Sequence, residues 1–152
     1  MDIYARLKEL GYELPAPPPR GGLYVPVKQV GSMAYVSGQG PTENGKPLFV
    51  GKVGREINIE QGQAAARRCV LNGLASLHAH LGDLNKIKGV VKLLGLVASA
   101  PGFNSQPQVV NGGSQLLLDL FGDEGWHARS AMGTNELPGD IPVEIEFIFE
   151  LK

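Results

Sequence analysis

Residues 143–151 read VEIEFIFEL, and the reading of this stretch decides the fold class. Val143, Ile145, Phe147 and Phe149 recur at every second position, so an extended chain lays all four on one face and Glu144, Glu146, Ile148 and Glu150 on the other. The first face is a core face. The second carries three carboxylates with an isoleucine among them, which marks it as something other than a plain solvated surface. Just upstream, Ala128–Met132 reads as the strand before it, so two strands close the chain.

Working back from there, Val109, Val110, Gly113, Leu116, Leu117, Leu120 and Phe121 repeat at helical spacing and stop at Gly122. Ile87–Val97 (IKGVVKLLGLV) is too β-branched and too interrupted by glycine for a helix and reads as a long central strand. The strongest helix signal lies before it. Asn58 with Gln61 forms a capping-box pattern, and Ala66, Cys69, Val70, Gly73, Leu74, Leu77 and Leu81 make one stripe ahead of Gly82. Ala64, Ala65, Gly73 and Ala75 keep this helix slim, so its axis can approach a sheet closely. Leu23–Val30 and Met33–Ser37 read as a hairpin, and Leu48–Val53 as a third strand after the Asn44-Gly45 turn. Asp2 caps a short first helix with Ile3, Leu7 and Leu10 on one side and Gly11 at its end. The run ELPAPPPRGG at 13–22 then forms an extended strap. The expected architecture is one α+β domain over residues 1–152, ordered β-β-β-α-β-α-β-β after the short helix. It holds a mostly antiparallel six-stranded sheet with two helices packed on one face.

A hydrophobic content of 43% over 152 residues can supply one core, and no apolar run reaches the ~18 residues of a membrane span. The N-terminus lacks a signal-peptide pattern, so a cytoplasmic protein is expected. With 14 basic and 15 acidic residues there is no general field to attract phosphate backbones, which argues against nucleic acid. Cys69 is the only cysteine, which excludes an internal disulfide and a thiolate cluster for zinc. His78 and His80 lie two apart on a helix and point to different faces, and no nucleotide or metal motif is present, so neither metal nor cofactor is expected.

Three positions suggest chemistry. Arg129 sits in HARSAM, a strand with small neighbours, where a long cation needs an anionic partner. The plain reading is an exposed strand arginine or a structural ion pair; the sharper one is a fork presented to a substrate carboxylate, whose geometry a guanidinium matches with two parallel hydrogen bonds. A half-buried glutamate on the outer face of 143–151 can orient a water molecule. Asn111 reads as a polar residue near a helix start, and Cys69 as packing.

SGQGP at 37–41, Asn111, HARSAM at 127–132 and LPGDIPVEIEFI at 137–148 together resemble the hallmark segments of the RidA/YjgF family, also called endoribonuclease L-PSP. The resemblance runs from Gly21 to the C-terminus and implies a chorismate-mutase-like fold. It further implies a homotrimer with sites in clefts between subunits, each built from two chains. By the same resemblance Arg129 binds a substrate carboxylate and Glu144 orients the attacking water. Tyr24, Ser37, Gly38 and Asn111 match further pocket positions. The implied activity is hydrolysis of an enamine or imine such as 2-aminoacrylate to a 2-keto acid and ammonia. Two departures border the expected pocket: Ala131 stands where many members carry a cysteine, and His127 where they carry a proline. A carboxylate-binding module without turnover and an endoribonuclease are the competing functions.

Overall fold

The computed structural model describes all 152 residues. The strands are β1 (Val27–Val30), β2 (Met33–Gln39), β3 (Thr42–Glu43), β4 (Lys46–Pro47), β5 (Ile87–Ala98), β6 (Ala128–Thr134) and β7 (Val143–Leu151). The helices are α1 (Ile3–Glu9), α2 (Ile59–Leu81) and α3 (Gln106–Phe121). Five strands form the main sheet in the order β1-β2-β7-β5-β6, and only the β5–β6 pair is parallel. β7, the most strictly alternating segment, is the central strand. Val143, Ile145, Phe147 and Phe149 are all at most 2% exposed and face α2 and α3, so a single core lies between sheet and helices.

Local chemistry explains the helix positions. The Asn58 side chain accepts from Gln61 N at 2.8 Å and the Gln61 side chain accepts from Asn58 N at 2.9 Å, a reciprocal cap that opens α2. Gly82 closes it in the left-handed conformation. A side chain at Gly73 would place its Cβ 2.9 Å from the Phe147 ring, and one at Gly112 would run into the backbone of Gln63. Glycine thus sets both the helix-to-sheet and the α2–α3 distance. The short α1 docks as expected. Ile3 and Leu7 enter the core, while the Tyr4 hydroxyl accepts from Leu84 N at 2.8 Å and lies 2.8 Å from His78 Nδ1. Between α1 and β1 the proline strap crosses the surface, tied at its end where the Ser37 hydroxyl donates to Val25 O at 2.7 Å.

The sheet has five strands, not the expected six. Leu48–Val53 is not a strand, because Gly51 takes φ +123° and the backbone donors of the segment scatter. Leu48 N donates to Pro41 O, Gly51 N to Asp140 O and Val53 N to Ala98 O, leaving no ladder with any one neighbour. The Asn44-Gly45 turn instead closes the two-residue hairpin β3–β4, with φ of 50° and 78° at its two corners. β1 begins at Val27, not at Leu23, since Pro26 lacks the donor that an earlier start requires.

Across the sheet from the helices, Tyr35, Leu94, Leu96, Ile148 and Met132 share a face with Glu144 and Glu146. Leu137 and Ile141 pack against Leu96 at one end of it and the strap borders Glu144, while Tyr35 and Met132 remain 45% and 49% exposed. No helix is long and apolar enough to cross a membrane.

Candidate functional site

Arg129 is the third residue from the start of HARSAM and the second of β6. Its Cα is paired with Leu93, which in turn pairs with Phe147, so the side chain lies on the helix side of the sheet at its edge. There α3 receives it. Nη1 donates to Asn111 Oδ1 at 2.7 Å and to Ser114 Oγ at 3.1 Å, and Nη2 makes a long 3.5 Å contact with Pro107 O. None of the chain's four ion pairs involves Arg129. Of the readings the sequence left open, the structural ion pair within the chain is therefore absent.

His127 joins the same group. Its Nδ1 lies 2.6 Å from Gly125 O and its Nε2 2.9 Å from Ser114 Oγ, so both ring nitrogens are engaged within the chain. Trp126, immediately before it, is 71% exposed. Ala131 is half-buried two residues beyond Arg129 on the same side of β6, where its methyl packs against the core.

Glu144 occupies a second place. It pairs with Leu96, which pairs with Met132, and so faces away from the helices. Its side chain crosses Gly38: a Cβ there would stand 2.9 Å from Glu144 Oε2, so a larger residue would push the carboxylate aside. Around it opens a cleft of about 350 Å³, bordered by Pro19 and Arg20 of the strap, Tyr24, Gly38 and Ile141. Burial in this cleft raises the Glu144 pKa above the ordinary carboxylate value, and the neighbouring Glu146 charge adds to the effect. Tyr24 lies at the rim with its hydroxyl accepting from Gly21 N at 3.2 Å. Ser37 borders the same region, but its hydroxyl is committed to Val25 O. Cys69 is buried with its Sγ donating to Val143 O at 3.6 Å. Burial, and then the Glu144 charge, push its pKa well above the ordinary thiol range.

The structure thus gathers Arg129, Asn111 and His127 at the edge of β6, and Glu144, Gly38 and Tyr24 in the strap cleft. Within one chain the two groups are on opposite faces of the sheet. Ser114 escaped the sequence reading because a serine among leucines in a helix looks like filler. The signal was its position three residues after Asn111, which puts both on one side of α3 facing Arg129.

Comparisons with known proteins bear on the family and the fold. The family model described as "YjgF/chorismate_mutase-like, putative endoribonuclease" matches residues 4–147. Protein TCP17 of Trypanosoma cruzi is 41% identical over 98% of this chain and 94% of its own length. A protein of unknown function from Agrobacterium tumefaciens has a solved structure with 46% identity and a TM-score of 0.92, covering 99% of this chain and 92% of the other. One from Shewanella oneidensis superposes with a TM-score of 0.95 at 32% identity, covering 99% and 100%. With the ARS and VEIE segments in place, the five-stranded sheet backed by two helices and the match over nearly the whole chain, the protein belongs to the RidA/YjgF family, also known as the endoribonuclease L-PSP family.

Proposed function

We propose that the protein is a deaminase that hydrolyses reactive imines of small carboxylic acids, of the 2-aminoacrylate type, to a 2-keto acid and ammonia. The observation that carries this reading is the half-buried Arg129 guanidinium, set by neutral acceptors and lacking any carboxylate of its own. Such a group is ready for a substrate carboxylate. An imine carbon is electrophilic once its nitrogen is protonated. Water adds to it, the carbon–nitrogen bond of the resulting carbinolamine breaks, ammonia leaves and the carbonyl forms. The protein has to hold the carboxylate and direct one water. Glu144, in a cleft that raises its affinity for a proton, suits the second task.

Because Arg129 and Glu144 face opposite sides of one sheet, a site that uses both takes them from two copies of the chain. This supports a homotrimer in which the outer sheet faces meet. The chain's charge balance and the absence of a basic groove favour a small acid over RNA as the ligand.

The test is keto-acid and ammonia release from 2-aminoacrylate generated in situ by a dehydratase, together with calorimetric binding of 2-oxobutyrate. Acceleration over the spontaneous rate is expected. Binding without acceleration would make the protein a carboxylate-binding module, and neither binding nor acceleration would overturn the site.

A further inference from the structure

We infer that His127 and Ser114 form a hydrogen-bond relay that positions Arg129, locking one edge of its guanidinium so that the other edge is the one offered to a substrate carboxylate. The inference rests on the proposed role of Arg129 and adds two residues to it, neither of which touches substrate.

The direction of every bond in the relay follows from donor and acceptor chemistry. Gly125 O is a carbonyl and only accepts, so the 2.6 Å contact places the His127 ring proton on Nδ1. In the neutral imidazole Nε2 is then an acceptor, and the Ser114 hydroxyl, 2.9 Å away, donates to it. With its only proton spent there, Ser114 Oγ turns its lone pairs outward. Arg129 Nη1 fills one of them at 3.1 Å and gives its second proton to Asn111 Oδ1 at 2.7 Å. Both protons of Nη1 are thereby used. Nε makes no hydrogen bond within the chain, and Nη2 has only the 3.5 Å contact with Pro107 O, so the Nε–Nη2 edge remains for a two-bond fork.

Without His127 the serine hydroxyl is free to rotate and point its proton at the arginine. A donor would then face a donor, and the guanidinium would lose its fixed orientation. The value of the relay lies in removing that alternative before substrate arrives. Ser114 is buried and its oxygen already accepts from Arg129 Nη1, which separates this arrangement from a catalytic serine–histidine pair.

Four variants and one spectrum test the relay. Ser114→Ala and His127→Phe each should raise KM for the imine, and the Kd of 2-oxobutyrate, about tenfold, the size expected for a hydrogen bond to a charged group, with kcat within about twofold. The double variant should be no worse than either single one, because both cut the same chain of bonds. His127→Gln, whose side-chain oxygen can take the place of Nε2, should recover most of the affinity. A drop in kcat with KM unchanged, or additive losses in the double variant, would overturn the inference.

The nitrogen-15 spectrum of the histidines, recorded on the wild-type protein at neutral pH, provides a test independent of activity. The Nδ1–H tautomer is expected for His127, with the Nε2 resonance moving in Ser114→Ala. An Nε2–H tautomer would overturn the relay even in an active enzyme. If the wild type shows the expected tautomer yet neither turns over imine nor binds 2-oxobutyrate, the proposed function fails and the hydrogen-bonded relay stands as structure alone.

Discussion

In the proposed reaction Arg129 and Glu144 divide the work, and their substitutions should separate in the kinetics. Arg129→Lys is expected to fail nearly as badly as Arg129→Ala, since a point-charge ammonium reproduces neither the planar fork nor the two bonds to Asn111 and Ser114. The loss should fall mainly on KM and amount to roughly 30-fold to several thousandfold in kcat/KM, the range for a sheltered charge-assisted contact. Glu144→Gln keeps the shape and removes the base, so kcat should fall while 2-oxobutyrate still binds. The acid limb of the wild-type kcat profile, set above the ordinary carboxylate range by burial and Glu146, should vanish with it. The same shift fixes the sign of a stability effect. Stability tied to neutral Glu144 is intact below the ordinary carboxylate pKa and is lost as pH rises through the raised one, because the native state then has to ionise a half-buried group. Glu144→Gln should therefore raise Tm at neutral pH, on the order of 1–2 °C after solvent screening in a domain of this size, and leave it unchanged near pH 3.

At the scale of elements, the α2–α3 contact is the most demanding. Gly112→Ala would drive a methyl into the backbone of Gln63 and should cost about 1–3 kcal/mol or more, read as a lowered urea midpoint with an unchanged slope. Such glycines also show what was legible in the chain. α2, α3, β5 and β7 could be read because each carries a periodic signal that its own packing enforces: the capping box at Asn58, the stripe around Leu117, the alternation from Val143. Leu48–Val53 misled because it has strand composition, while its donors are claimed one at a time by three separate places in the chain, Pro41, Asp140 and Ala98. The parallel β5–β6 pairing likewise depends on a crossover that no local pattern announces. Arg129, Glu144 and Asn111 were legible as residues. That the first and second face opposite sides of the sheet follows only from the register, and Ser114 gains its meaning from His127, thirteen residues away.

For the whole molecule, the proposed homotrimer would form through the outer sheet face. Tyr35, Leu94, Leu96, Ile148 and Met132 share this face with Glu144, Glu146 and Lys92, and three such faces turned inward would bury its apolar part. Light scattering should give a trimer mass. Ile148→Glu, which adds a charge beside Glu146 and Glu150 without touching the core, should yield a folded monomer that has lost turnover, since neither half of a two-chain site then meets its complement. A monomer mass for the wild type at micromolar concentration would refute the assembly.

Trp126 is the only tryptophan in the chain, stands 71% exposed, and directly precedes His127. The protein consequently carries one tryptophan that can be excited selectively over its tyrosines, at the edge of β6 beside His127. In a dissociated variant such as Ile148→Glu its emission should be that of an indole in water and fully open to iodide quenching. If the neighbouring chain closes over this edge, the wild-type trimer should emit further to the blue with part of the quenching lost, and titration with 2-oxobutyrate should change the signal without any added label. One optical signal would then follow both association and ligand binding.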